Sequence, residues 1–175
     1  MARFAFVFAI LLAIASPAFA ADPVTNQAAG PTVPPATFVA TAAAGNLFEI
    51  DSSELALRRS QSSAVRDFAN RMVVDHNAAA AKLKQAVADA KLTPPAEKLD
   101  AKHQAMLDDL KAKDAASFDR AYIEVQYNAH VETVALFQSY AKGGETGRLK
   151  AFAADVLPTL QGHLDHVTKM RNTTH

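Results

Sequence analysis

Apolar residues recur at helical spacing through two long stretches of the chain, and each apolar face contains a histidine. The first face consists of Val65, Phe68, Met72, His76, Ala79 and Leu83. The second consists of Leu149, Phe152, Val156, Leu160, His163, Val167 and Met170. Steps of three and four residues place these side chains on the side of an α-helix that other helices must cover. Because an unpaired buried polar group costs roughly 1–3 kcal/mol, the pattern predicts a polar or metal site inside a helical bundle.

The first 20 residues have the pattern of a secretory signal peptide. A basic start at residues 1–3 precedes an apolar stretch over residues 4–14, and Ala18 and Ala20 occupy the positions that signal peptidase reads. An uncleaved membrane anchor is the alternative, but the apolar stretch is short against the roughly 20 residues that span a bilayer. We therefore expect cleavage after Ala20 and a periplasmic protein, either free or bound to an envelope protein or a membrane surface such as the outer membrane.

The composition narrows the class of protein. The chain has 18 basic and 18 acidic residues, and this near-neutral balance argues against nucleic acid as a partner. It has no cysteine and six histidines, so any metal site has to use imidazole and carboxylate ligands. Removal of residues 1–20 from the 175 leaves 155, enough for one domain with one hydrophobic core. The richness in alanine favours an all-α fold.

The chain divides into a leader, a linker and a helical domain. We expect a signal peptide over residues 1–20, a flexible Pro/Ala/Thr/Gly linker over 21–36 and a bundle over 37–171. Long helices are predicted over residues 37–60, 63–91, about 115–143 and 145–171, with a short crossover helix carrying Leu99, His103, Met106 and Leu110. Pro158 should kink the last helix. The predicted fold is a ferritin-like up-down four-helix bundle with the crossover helix between helices two and three.

One polar residue from each long helix falls at a similar depth in this bundle. These residues are Glu49, His76, His130 and His163. At about 1.5 Å of rise per residue, each lies roughly 17–27 Å from its tight turn. If both tight turns lie at the same end of the bundle, as alternating helix directions require, the four side chains share one layer. The alternatives are a solvent-facing Glu49, a hydrogen-bonded core histidine at position 76, and an inward Ala129 in place of His130.

The remaining polar candidates are weaker. His166 lies at the flank of its apolar face, where a surface position or a contact with a site residue is expected. His103 in the crossover and His175 at the C-terminus are expected to be ordinary surface histidines. Tyr122 and Tyr127 either donate hydrogen bonds near the site or pack between helices, and packing is favoured.

Several segments of the chain form a recognisable set: residues 38–49, 65–76 (VRDFANRMVVDH) and 118–122, then His130, Leu157-Pro158-Thr159-Leu160 and His163-Leu164. Together they resemble a widespread bacterial family of exported proteins of unknown function, whose members are often labelled membrane or outer-membrane proteins. The segments extend over about residues 37–170. The resemblance implies an exported location and a ferritin-like helical fold, but no defined activity. Its recurrent polar positions correspond here to Glu49, His76, His130 and His163.

The ligand set differs from that of ferritins. A di-iron carboxylate site needs a Glu-x-x-His pair on each of two helices, and the chain contains no such pair. Three imidazoles and one carboxylate suit a single Zn, Cu, Fe or Ni ion, and no organic cofactor is indicated. We expect a metal-binding or polar cluster formed by the four residues. A non-catalytic structural or interaction module of the cell envelope is the main alternative, and a metal-dependent enzyme is a third, weaker one.

Overall fold

A computed structural model describes residues 33–173. In this range the chain forms five α-helices and no strand: α1 (Pro35–Arg59), α2 (Ser63–Asp89), α3 (Ala101–Ala112), α4 (Ala115–Gly143) and α5 (Gly147–Thr173). The predicted all-α fold is confirmed. The predicted signal peptide, most of the predicted linker, and His175 lie outside the described residues. Within the described range, no helix combines the length and hydropathy needed to cross a membrane.

The four long helices surround one interior. Helix α1 packs beside α2 and α4, and α5 also packs beside α2 and α4. The shorter α3 lies against α1 and α4. This arrangement confirms the predicted four-helix bundle with a crossover helix between the second and third long helices.

The two tight connections lie at opposite ends of the bundle, contrary to the assumption behind the predicted depths. The N-terminal halves of α2 and α4 share one apolar cluster, to which Phe68 and Phe118 belong. The N-terminal halves of α1 and α5 share another, to which Phe38 and Phe152 belong. Helices α2 and α4 are therefore parallel. The connection through α3 makes this possible, since it is long enough to run the length of the bundle. The depth argument still gives the right layer, since a residue near the middle of a helix is about equally far from both ends.

Helix α1 begins at Pro35, so the last two residues of the predicted linker are helical. Proline is favoured in the first turn of a helix because its φ angle is already helical and its missing N–H has no partner there. At the tight connection between α1 and α2, the Ser62 side chain caps α2 by accepting a hydrogen bond from the N–H of Val65. Helix α5 continues through Pro158, and a kink at this proline stays a prediction.

A polar layer separates the two apolar clusters. The first cluster, near the α1–α2 connection, includes Phe48, Phe68, Met72, Leu110, Phe118, Tyr122 and Val167. The second cluster, near the α4–α5 connection, includes Phe38, Leu83, Phe137, Tyr140, Leu149, Phe152 and Leu160. Between them lie buried polar residues from all four long helices: Glu49, Ser52, Ser53, His76, Gln126, His130 and His163. The fold thus places polar side chains where the two halves of the apolar core meet.

Candidate metal centre

The four residues predicted from the sequence are all buried in the polar layer. Their exposed fractions are 3% for Glu49, 4% for His76, 0% for His130 and 1% for His163. Each histidine interrupts the apolar face of its own helix. Ala129 is buried beside His130, so both residues turn inward and the two alternatives for this part of α4 do not exclude each other.

Three of the four residues meet, and they are the histidines. The centroid of the His76 ring lies 5.8 Å from that of His130 and 5.5 Å from that of His163, and the other two rings are 5.5 Å apart. One ring nitrogen from each residue lies within 4.8 Å of those of the other two. We refer to His76, His130 and His163 as the histidine cluster. Its members come from α2, α4 and α5.

The His76 ring is oriented by Asn46 of α1. Nδ1 of His76 lies 2.9 Å from Oδ1 of Asn46, and Nδ2 of Asn46 donates a 3.0 Å hydrogen bond to the backbone carbonyl of His76. A carbonyl oxygen only accepts, so this second contact fixes which way the amide points. Nδ1 of His76 therefore carries the proton, and its lone pair is on Nε2.

The other two rings are oriented in the same manner by different partners. Nδ1 of His130 donates to the backbone carbonyl of Gln126 over 2.9 Å, and Nε2 of His163 donates to Oδ2 of Asp75 over 2.8 Å. Both partners are acceptors, which assigns the proton to the nitrogen that faces them. The lone pairs are consequently on Nε2 of His130 and Nδ1 of His163.

The lone-pair nitrogens of the histidine cluster have no hydrogen-bond donor. Nε2 of His76, Nε2 of His130 and Nδ1 of His163 are buried and unpartnered. Metal-binding histidines have this arrangement, in which one nitrogen faces the ion and the other donates to a carboxylate or carbonyl that fixes the ring. The cluster is therefore arranged as a set of neutral nitrogen ligands.

Burial keeps these imidazoles uncharged at neutral pH. Burial, together with the nearby His163, lowers the pKa of His130 to about 4, although the hydrogen bond to the Gln126 carbonyl acts in the opposite direction. Burial also lowers the pKa of His76 well below its usual value, with contributions from His130 and His163. The pKa of His163 is lowered by burial, although the hydrogen bond to Asp75 acts in the opposite direction. Neutral imidazole is the form that binds metal ions.

Glu49 lies beside the histidine cluster. Its Oε1 is 3.6 Å from Nδ1 of His130, the nitrogen that donates to the Gln126 carbonyl, and its Oε2 has no partner. Burial raises the pKa of Glu49 to about 8, although a hydrogen bond with the Gln126 side chain opposes the shift. The carboxyl group is therefore largely protonated at pH 7. The role of Glu49 as a fourth ligand stays a prediction.

The two tyrosines singled out in the sequence lie outside the histidine cluster. The Tyr122 hydroxyl makes a 2.8 Å hydrogen bond with Oγ of Ser53. The Tyr127 ring packs under the guanidinium of Arg171, whose central carbon is 4.3 Å from the ring centroid. His166 is half-buried, and its ring lies edge-on to Phe68 at 5.1 Å.

The prediction that His103 is an ordinary surface residue is wrong. Its side chain is only 12% exposed, and its ring lies 5.3 Å from that of Phe48. The sequence contained a signal for this position, because His103 follows the same helical stripe as Leu99, Met106 and Leu110. That stripe faces α1 and α4, which are the helices that α3 covers.

Two cavities reach the histidine cluster. The larger, of about 760 Å³, lies between α1, α3 and α4, and both Glu49 and His76 contribute to its wall. The smaller, of about 130 Å³, lies between α2 and α5 and reaches His76 and His163. The histidine cluster is thus buried, yet two of its members, His76 and His163, line cavities.

Comparison with known proteins identifies a family and a fold. The family described as a domain of unknown function, DUF4142, matches residues 20–170. No match was found among curated proteins. The structure of CopM in the Cu(II)-bound form is similar, with a TM-score of 0.70 and 15% identity over 83% of this chain and 100% of that chain. A DUF305 fragment from Deinococcus radiodurans has a TM-score of 0.69 and 16% identity over 82% and 99%. At such identities, the similarity shows the helical fold alone.

Proposed function

The chain belongs to the DUF4142 family, and we propose that it binds one divalent transition-metal ion through the histidine cluster. The ligands are Nε2 of His76, Nε2 of His130 and Nδ1 of His163. The observation that carries this proposal is the coincidence of these three buried, unpartnered nitrogens with three hydrogen bonds on the opposite ring nitrogens. A purely structural polar cluster explains this less well, because it leaves three acceptors unsatisfied at about 1–3 kcal/mol each.

The dimensions of the cluster suit a metal ion after a small movement. Nitrogens bound at about 2.0 Å to one tetrahedral ion are roughly 3.3 Å apart. One nitrogen from each ring lies within 4.8 Å of those of the other two, and from such a spacing an inward movement of less than about 1 Å per ring gives these bonds. Movements of this size need only side-chain adjustment.

Copper(II) is the ion that we expect to bind most tightly. Imidazole ligands accept Zn, Cu, Fe and Ni, and affinity among divalent ions of this series is highest for Cu²⁺. The similarity in fold to CopM in the Cu(II)-bound form supports the same choice. Glu49 then acts most simply as a carboxyl neighbour of His130, since it approaches the ring from the nitrogen that is not a ligand.

We further propose that the protein acts in the periplasm, free or in contact with an envelope protein or the outer membrane. The support is the signal-peptide pattern of residues 1–20 together with the absence of cysteine from the sequence. A chain without thiols can hold copper or zinc in an oxidising compartment without losing a ligand to disulfide formation.

Metal analysis of protein purified without an affinity tag tests the proposal. The wild type is incubated with Cu²⁺, Zn²⁺, Ni²⁺ or Fe²⁺, desalted, and its metal content measured beside that of a His76→Ala/His163→Ala variant. We expect about one equivalent of Cu²⁺ in the wild type and a near-complete loss in the double variant. The matched control is His166→Ala, which removes a nearby half-buried histidine outside the cluster and should retain the ion. Equal, near-zero metal in all three folded proteins would contradict the proposal.

A further inference from the structure

The larger cavity joins the histidine cluster to the surface beside α3. Its outer wall includes exposed residues at the start of α3 and on α4, among them Asp100, Lys102 and Glu132. Its inner wall includes the buried Glu49 and His76. A ligand that enters next to α3 can therefore reach His76, whose Nε2 is buried and unpartnered.

His103 lines this cavity and is oriented like the cluster histidines. Its Nδ1 lies 2.9 Å from Oδ1 of Asp100, and a carboxylate oxygen only accepts, so Nδ1 carries the proton. The lone pair is consequently on Nε2, the nitrogen that faces α1 at Gly45. An imidazole nitrogen with its lone pair available thus belongs to the wall of the cavity that also reaches His76.

Gly45 leaves the passage open on the α1 side. A Cβ atom at this position would lie 3.9 Å from Nε2 of His103, which is ordinary van der Waals contact. Alanine therefore fits there without displacing anything, whereas the longer side chain of leucine has to extend into the cavity. Glycine in the middle of a helix costs about 1 kcal/mol relative to alanine, so its presence here has to be explained by something other than helix stability.

We propose that this cavity is the route by which a hydrated divalent metal ion reaches the histidine cluster, with His103 as a transient ligand on the way. The inference rests on the proposed metal binding and adds the path to it. The carboxylates of Asp100 and Glu132 at the mouth attract a cation, and Glu132 also pairs with Lys102. The imidazole of His103 then replaces part of the hydration shell before the ion reaches His76.

The smaller cavity is less suited to a cation. It has about a sixth of the volume of the larger one, at about 130 against 760 Å³. Its wall includes Asp75 and Lys82, and Lys82 pairs with Asp155 as Lys102 pairs with Glu132 at the larger cavity. Charge therefore does not distinguish the two cavities, and the larger one is preferred because a hydrated ion needs room to pass.

Rates of copper uptake and release in Gly45 variants test the route. The chain has three tyrosines and no tryptophan, so quenching of tyrosine fluorescence by Cu²⁺ can be followed by stopped flow, and release by addition of excess EDTA. We expect Gly45→Leu to slow uptake and release by about tenfold or more each, and to leave their ratio, the Kd, within about threefold. A blocked path changes both rates equally because it leaves the ligands intact.

Two matched variants control for the helix and for the other opening. Gly45→Ala alters the same position without filling the cavity, and Thr159→Leu adds the same side chain at an exposed position on the smaller cavity. Both should keep wild-type rates. Unchanged rates in Gly45→Leu, or slower rates in Thr159→Leu, would overturn the proposed route. Failure of the wild type to bind Cu²⁺ at all would instead reject the proposed function, so the two failures are distinguishable.

The role of His103 has its own test, which also tests the proposed route if Gly45→Leu does not fold. His103→Phe keeps a ring of similar size next to Phe48 but removes the nitrogen ligand. We expect uptake to slow by about fivefold or more at an unchanged equilibrium copper content. Wild-type uptake in a His103→Phe protein with a normal melting temperature would show that the imidazole takes no part in transfer.

Discussion

Asp75 of α2 accepts a 2.8 Å hydrogen bond from Nε2 of His163 on α5, 88 residues further along the chain. The bond joins the partly exposed edge of one helix to a buried ring of another, and it assigns the lone pair of His163 to Nδ1. Arg71 contacts the same carboxylate oxygen from 3.4 Å. One surface carboxylate therefore determines which nitrogen of a buried imidazole is available to a metal ion.

Replacing Asp75 by asparagine should weaken metal binding without removing a ligand. The amide of Asp75→Asn can donate to Nε2 of His163, which transfers the ring proton to Nδ1 and blocks that nitrogen. We expect the Kd for Cu²⁺ to rise by about 10–100-fold, measured by competition with a chelator of known affinity. Asp155→Asn removes an exposed carboxylate that pairs with Lys82, and should bind like the wild type. Equal affinities in both variants would contradict the role of Asp75.

Lys91 terminates α2 in a left-handed conformation that glycine adopts more easily. Its φ is 56°, and the N–H of Leu92 donates to the carbonyl of Val87 over 3.1 Å, which closes the end of the helix. Because a side chain is disfavoured in this region of backbone space, Lys91→Gly should raise the free energy of unfolding by about 0.5–1 kcal/mol. Urea denaturation measures the change. Lys84→Gly, in the middle of the same helix, should have the opposite sign.

The helices and the buried histidines could be predicted because both follow from spacing along one helix. His76 interrupts the run from Met72 to Leu83, and His163 interrupts the run from Leu160 to Val167. Periodicity of this kind indicates which side of a helix is covered, and the covered side of an amphipathic helix faces the interior of the bundle. The four-helix architecture follows from the same pattern together with the two short connections.

The partners of His76 and His163 could not be predicted, because they belong to other helices. Asn46 is on α1, and its bond to His76 depends on how α1 and α2 are rotated against each other. Asp75 lies next to His76 in the sequence but bonds to His163, which requires the register between α2 and α5. The direction of α4 does not follow from the sequence for a related reason, because a connection that contains a helix of its own can return the chain to either end of the bundle.

The stability of the metal-free protein should have a maximum near pH 6.5. Burial lowers the pKa of His76, His130 and His163 below the usual 6.5, so below pH 6.5 the unfolded chain binds more protons than the folded one. Stability therefore rises with pH up to about 6.5 and gains nothing from these groups above it. The raised pKa of Glu49, about 8 against 4.5, acts in the opposite sense, because the folded protein keeps a proton that the unfolded chain loses.

The histidines and Glu49 together determine how the free energy of unfolding depends on pH. Below pH 6.5 the effect of the three histidines is larger than that of the one carboxyl group, so the free energy of unfolding rises with pH. Above pH 6.5 only Glu49 still has an effect, so the free energy of unfolding should fall again towards pH 8. Urea titrations at pH 5, 6.5 and 8 in the presence of a chelator measure it. A free energy of unfolding that is constant over this range would contradict the burial of the cluster in its neutral form.

Glu49→Gln should abolish the fall above pH 6.5 and leave the rise below it. The amide has nearly the size of the carboxyl group but does not ionise. The variant therefore lacks the proton that the folded wild type retains up to about pH 8 and the unfolded wild type loses. In the wild type, one proton over 1.5 pH units corresponds to a loss of about 2 kcal/mol between pH 6.5 and 8. Glu124→Gln is the matched control, since Glu124 pairs with Arg171 near the surface, and it should keep the wild-type profile. If Glu49→Gln lost stability above pH 6.5 as steeply as the control, the proton would belong to another group and Glu49 would already be ionised in the folded protein.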